Sequence, residues 1–298
     1  MNNECILCQK KSEYLDEYKF NVNSDEEFFG KLKIYYCKSC DLGFANPMPS
    51  LSKLNSFYKY IYRDFGRPHE KGKFLIEENL LSERNMNYLQ YLSNYLDFNK
   101  ITNIFDYGSG TGDIGYLLTK KFKHLKLHTI ETDIFSVKIL KKRNYKIYNN
   151  FNEINIKFDL VIATHVLEHL TDLVVMNNFK KILKKDHYIF IEVPNNLFKV
   201  NFLNRPYDSP HLIFFSKKSF EIIEKTYGLI IINLTFSSFT IDKAFSYMKK
   251  SKLKFQNWNK KNKVSKKKLI KNFIKLMIPN FFIKFLRKLN KINNQLSY

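Results

Sequence analysis

A chain of 298 residues can enclose one α/β domain of ordinary size and one or two small appendages. With 44% hydrophobic and 16% aromatic residues it can bury a real core, which excludes wholesale disorder. The formal charge is +22, yet only six of the 50 basic residues are Arg, so the excess fits a Lys-rich composition as well as it fits an anionic partner.

No apolar stretch follows Met1, and no uncharged apolar run reaches the roughly 18 residues a spanning helix needs. The expectation is a cytoplasmic chain. Four segments follow one another. Residues 1–65 hold all four cysteines, as Cys5-Ile6-Leu7-Cys8 and Cys37-Lys38-Ser39-Cys40 with 28 residues between the pairs. In a reducing compartment two such knuckles favour a metal over disulfides. Each turn offers two thiolates to one side, and four together complete the tetrahedral shell of structural Zn2+, with no position left open for catalysis. The segment ends in an aromatic stretch, Phe57-Tyr58-Lys59-Tyr60-Ile61-Tyr62.

Residues 66–100 read as a connecting helix, with Leu75, Leu80, Leu81, Tyr88, Leu89, Leu92 and Leu96 at helical spacings over about 72–98. From 101 to 240, strand-like runs alternate with helical stretches: Ile104-Phe105, Leu125 to Ile130, Leu160 to Ile162, Tyr188 to Val193 and Leu229 to Leu234. That alternation predicts a doubly wound, mostly parallel Rossmann-like sheet. Before the last run, Ser216 stands at an N-cap position and Gly228 at a C-terminal glycine position.

The first of these strands runs into Asp106-Tyr107-Gly108-Ser109-Gly110-Thr111-Gly112-Asp113. Glycines allow a sharp turn and a close approach of backbone to ligand. The spacing is GxGxG, with Asp113 where the last glycine of a dinucleotide loop would stand. S-adenosylmethionine (SAM) carries no phosphate and tolerates that acid. Glu131 follows Gly112 by 19 residues at the end of the second strand, placed to accept hydrogen bonds from both ribose hydroxyls.

In combination these motifs resemble the class I SAM-dependent methyltransferases, in particular bacterial members with an N-terminal CxxC…CxxC module. The resemblance covers about residues 1–235. It rests on the cysteines, Asn46-Pro47-Met48-Pro49 through Phe57-Tyr58 and Tyr62, the glycine loop, Phe158 through Glu168-His169-Leu170, Ile191-Glu192-Val193-Pro194-Asn195, and His211 through Ser216. Two positions depart from it. Asp41 stands where a glycine usually follows the last cysteine, and Asp186-His187 stand in place of a Gly-Gly turn. The resemblance implies a SAM site made by Asp106, Tyr107, Gly108, Gly110, Gly112, Glu131, Thr132, Thr164 and His165. It also implies a zinc site at Cys5, Cys8, Cys37 and Cys40.

Methyl transfer is an in-line displacement in which placement of the acceptor supplies much of the catalysis. A hydroxyl acceptor also gains from a base, and His titrates in the useful range. The candidates are His211, which the resemblance places facing the substrate, and His165, directly after the fourth strand. His169, paired in sequence with Glu168, reads as a structural device, and Tyr58, Tyr60 and Tyr62 as pocket lining or packing.

Residues 241–298 form a basic amphipathic tail with 17 basic residues against the single acid Asp242. Leu269, Ile270, Phe273, Ile274 and Met277, then Phe281, Phe282, Phe285, Leu286 and Leu289, alternate with lysines at helical spacing. Such helices suit an anionic membrane interface, on the inner face of the cytoplasmic membrane, or packing on the chain's own domain. The resemblance points to a sugar or nucleotide-linked sugar acceptor, methylated on a hydroxyl in surface-glycan polysaccharide biosynthesis. One alternative is an RNA methyltransferase holding nucleic acid with the zinc module and tail. Ala163-Thr164-His165 lacks the Asn-Pro-Pro-aromatic signature of base N-methylation. The other is a non-catalytic zinc-ribbon interaction protein on the same fold.

Overall fold

The computed structural model describes residues 3–18, 20, 23–62, 83–195 and 210–236. The expected helical residues 72–82 and the basic tail lie outside the described residues.

Five parallel strands carry the central sheet: β4 Asn103–Asp106, β5 Lys126–Ile130, β6 Lys146–Tyr148, β7 Phe158–Thr164 and β8 Leu183–Glu192. Their order is β6-β5-β4-β7-β8. The chain builds outward from β4 in one direction through β5 and β6, and in the other through β7 and β8. The point of reversal, at the carboxyl ends of β4 and β7, is where open α/β sheets bind ligands. Burial explains why β7 reads as an unbroken apolar run. Leu160, Val161, Ile162 and Ala163 are all fully buried, as expected for a strand covered on both faces. The helices covering it include α3 Glu83–Tyr95, α4 Asp113–Lys121, α5 Ile134–Lys142 and α6 Val175–Ile182. The Asp133 side chain caps α5 by accepting from Ser136 N at 2.8 Å.

The cysteine segment forms a second sheet from β1 Glu13–Glu17, β2 Lys33–Cys37 and β3 Leu42–Asn46. Two short helices, α1 Asn23–Phe29 and α2 Leu51–Ser56, accompany it, and α2 runs on into a π turn over Phe57–Ile61. Its fourth strand comes from far along the chain: β9 Ile213–Phe214 pairs antiparallel with β3, Gly43 opposite Phe214 and Phe44 opposite Ile213. The two-residue period then divides this strand between two cores. Leu212 and Phe214 pack with Ile34, Ala45, Leu54 and Phe57. Ile213 and Phe215 join the cysteines, Met176 and Phe179. The module is thereby stitched to the parallel domain, and both belong to one compact unit ending at Ser238.

Helix α7 Lys217–Tyr227 has the expected ends, a reciprocal Ser216/Ser219 cap and Gly228 in the left-handed region. The run after it does not form the expected strand. Ile230 and Ile232 are 86% and 64% exposed, Ile231 N donates to Glu224 Oε1, and Asn233 donates to the hydroxyls of Tyr91 and Tyr95. β-branched residues favour a strand only against a neighbouring strand, and these face none among the described residues. The two departures from the family pattern both fall where glycine would be at ease. Asp41 has φ 53° and Asp186 φ 56°, and Asp is among the few other residues that enter this region readily.

Candidate active site and cysteine cluster

The four cysteine thiols lie within 4.8 Å of one another, and none is in a disulfide. Each knuckle turns on a left-handed residue just past its second cysteine, Gln9 and Asp41. Leu7 N points at Cys5 Sγ at 3.4 Å, and Cys8 and Cys37 Sγ stand 3.6 Å apart. Burial pushes the Cys5 thiol up to about 12 and raises that of Cys40 as well. At Cys8 burial is outweighed by hydrogen bonds from Cys40 and the Lys10 backbone, which hold it below its ordinary value. Four thiols crowded this way, three of them buried, form a donor set that a dication would satisfy.

The glycine loop leaves the carboxyl end of β4. Gly108, Gly110 and Gly112 all have positive φ, between 56° and 74°. Their surroundings differ. A Cβ on Gly108 would meet Val166 Cγ2 at 2.8 Å, and one on Gly112 would meet Leu140 and Tyr145 within 2.9 Å. Around Gly110 there is open space. Gly108 and Gly112 therefore allow the loop to pack, whereas Gly110 keeps a clear face where a ligand can approach. Glu131 reaches the loop from the end of β5: one carboxylate oxygen accepts from Gly110 N at 2.7 Å, the other from Asp133 N at 2.9 Å. Burial raises its pKa, opposed by those backbone donors. Each oxygen keeps a further lone pair for a hydroxyl donor.

Asp106 and Tyr107 stand just before the glycines. The Asp106 carboxyl is buried against the Tyr145 hydroxyl at 3.3 Å, and burial lifts it to about 7. The Tyr107 ring packs among Phe105, Phe151 and Phe179. Thr132 is exposed just after Glu131. Asp113 pairs with the buried Arg143 guanidinium, which also donates to Thr111 O at 2.6 Å. The acid that departs from a dinucleotide loop is thus neutralised from within the domain.

Thr164 ends β7 opposite Glu192 of β8. His165 follows with φ 53°, an unusual conformation for a residue with a Cβ. The turn sets its ring between two carboxylates: Nε2 is 3.2 Å from Glu192 Oε2 and Nδ1 is 3.3 Å from Glu168 Oε1. Tyr88 of α3 donates to the same Glu192 oxygen. One turn on, the His169 ring packs edge-on to His211 with centroids 4.7 Å apart, and Tyr58 closes the other side at 5.7 Å. Burial lowers His169 to about 4. His211 is held by its backbone, whose carbonyl accepts from the Tyr18 hydroxyl at 2.9 Å. Tyr60 is 57% exposed and lies off this cluster.

The structure therefore joins His165 and His211 to one polar cluster through Glu168 and His169, and through Val166 it sets that cluster against the glycine loop. Sequence reasoning missed Glu192 and Tyr88 as members and underrated Glu168. The available signal for the two glutamates was an acid at, or just after, the end of each of two neighbouring predicted strands.

The sequence profile of a family described as "Methyltransferase domain" matches residues 76–234. No curated protein matches the chain. Among solved structures, the chain is similar to the plantazolicin methyltransferase BamL in complex with a triazolic desmethylPZN analog and SAH. Identity there is 22% over 39% of this chain and 47% of the other, with a TM-score of 0.34. A putative O-methyltransferase from Nostoc punctiforme PCC 73102 matches at 11% identity over 51% of each chain, TM-score 0.42. Coclaurine N-methyltransferase bound to N-methylheliamine and SAH matches at 13% identity over 46% and 47%, TM-score 0.38. The matched region spans about half the length of each of these solved chains.

Proposed function

The chain belongs to the methyltransferase-domain family, and from that premise we propose that it transfers a methyl group from SAM to a hydroxyl of a small acceptor, a sugar or nucleotide-linked sugar. The observation that carries the SAM reading is the open face at Gly110 with Glu131 beneath it. SAM, when bound, supplies a methyl group activated on a sulfonium. The protein's share is to hold the donor along Gly108–Gly112, with the Glu131 carboxylate on the ribose hydroxyls. His165 or His211 takes the acceptor's proton. Each His165 nitrogen lies within 3.3 Å of a carboxylate oxygen, Nδ1 of Glu168 and Nε2 of Glu192. Cys5, Cys8, Cys37 and Cys40 hold one structural zinc, and the tail beyond residue 240 docks the enzyme on an anionic membrane surface.

Calorimetry with SAM tests the site. Gly110→Val should abolish binding by filling the open face, and Glu131→Ala should weaken it about 100- to 10,000-fold by removing two charge-assisted hydrogen bonds. Wild-type affinity in both variants would remove the assignment.

A further inference from the structure

Glu168 is 1% exposed, and neither of its carboxylate oxygens accepts a hydrogen bond among the described residues. A buried carboxylate in that state is costly, and its nearest neighbours are histidine nitrogens out of line for a hydrogen bond. His165 Nδ1 is 3.3 Å away and His169 Nε2 3.9 Å away. His169 Nδ1 stands 3.1 Å from the Pro210 carbonyl oxygen. A carbonyl can only accept, so Nδ1 carries the proton and Nε2 offers its lone pair toward Glu168. This is the outer hydrogen bond by which metal-ligating histidines are commonly oriented. One ligand atom each from Glu168, His169 and His211 fall within 4.8 Å of one another. Around a single ion, ligand atoms sit about 3.4 Å apart, so small side-chain rotations bring the three into a shell.

We propose that Glu168, His169 and His211 form a second metal site, separate from the four cysteines, for a divalent first-row transition ion. Two imidazoles and one carboxylate suit zinc or ferrous iron, and three protein ligands leave positions open, as catalytic sites do and four-cysteine sites do not. The ion would satisfy the stranded Glu168 oxygens. Its use rests on the methyl-transfer reading above: an acceptor hydroxyl at an open position is acidified, as Lewis-acid sites do. His211 is then a ligand, which leaves His165 as the base. His165 takes the hydroxyl proton while the acceptor O–C bond forms and the sulfonium C–S bond breaks, giving the methyl ether, the thioether and an imidazolium.

The test is a cobalt(II) titration of the full chain purified with its cysteines loaded, followed by calorimetry and visible absorption. One further equivalent should bind, with the weak bands of nitrogen and oxygen ligands and no thiolate charge transfer. Glu168→Gln and His211→Ala should each weaken that equivalent on the order of 100-fold or more. Circular dichroism and melting read folding in the same samples. His211→Ala, at a half-buried position, serves if Glu168→Gln does not fold. No cobalt beyond the cysteine cluster, or uptake unchanged in a folded variant, overturns the proposal. SAM titrated into the same samples separates the two readings: cobalt uptake without SAM binding leaves the second site standing, and SAM binding without cobalt uptake removes it.

Discussion

Two polar clusters in this chain are built in opposite ways. The cysteine cluster takes its members in pairs from two tight turns, and three of its four thiols are buried in a core shared with Met176 and Phe179. The Glu168–His169–His211 cluster takes its members from two segments, Glu168 and His169 on one and His211 on the other with 41 residues between His169 and His211, and only its carboxylate is fully buried. Elementary chemistry follows that difference. A cluster that replaces a core organises the fold around it, whereas one set at the rim of a finished sheet can be altered while the fold stands. β9 touches both: Ile213 packs with the cysteines, and Leu212 N, just before it, donates to Glu168 O.

The sharpest separation should come from Cys37→Ser. Removing one of the four thiols breaks up the proposed zinc donor set, and the module is too small to hold on its apolar core alone. Differential scanning calorimetry should show the melting temperature down by on the order of 10 °C or more. His211→Ala should cost about 1 kcal/mol or less in the same measurement. If the two variants melt alike, the contrast between the clusters is wrong. Phe214→Ala sharpens it, because Phe214 is 1% exposed in β9 and fills the core behind the module. Urea unfolding should register a loss of about 3–5 kcal/mol. Both clusters should suffer together, which the other two variants do not predict.

A smaller effect, remote from both clusters, comes from His128 in β5. Burial, then Lys146 and Lys126, lower it from 6.5 to about 4. The unfolded chain takes up a proton near pH 6.5 that the folded chain refuses until about pH 4. Stability from this group is therefore complete above the upper value and falls as the pH drops toward the lower one. Between pH 7 and 5 the loss should be about 2 kcal/mol by urea unfolding, and His128→Gln should flatten it. Asp106 leans the other way. Its carboxyl is raised from 3.8 to about 7, so the folded chain holds the extra proton and stability declines as pH rises through that window. Asp106→Asn should steepen the net gain in stability from pH 5 to 7, and an unchanged slope would show that Asp106 stays charged in the folded chain.

The legible parts of the sequence are those in which a local pattern carries the chemistry. Both cysteine knuckles, the glycine turn, four of the five parallel strands and both ends of α7 stand where the residues predict them. β6 was missed because three residues, Lys146-Ile147-Tyr148, are too few to display a period. The run at 229–234 was misread because its propensity had no neighbour to express itself against. The module's own strands were hidden behind the cysteines, although Lys33–Cys37 shows partial alternation in burial. The site was half legible. Glu131 and His165 follow from strand ends, but the joining of Glu168 and His169 to His211 depends on β9 crossing into another sheet, and nothing local announces that pairing.

That crossing has one more consequence. Asn195 bridges to Phe215, and Ala45 N donates to Leu212 O at 2.8 Å. Asn195 and Leu212 are thus each fixed by backbone pairing on either side of the stretch that separates them in sequence. Closure cost grows only slowly with length, by about 0.6 kcal/mol for each doubling. A change of length between those two anchors should therefore cost the scaffold little, and His211 stands next to the second of them. The sequence between those two anchors can therefore vary with the glycine turn and the cysteine cluster left as they are.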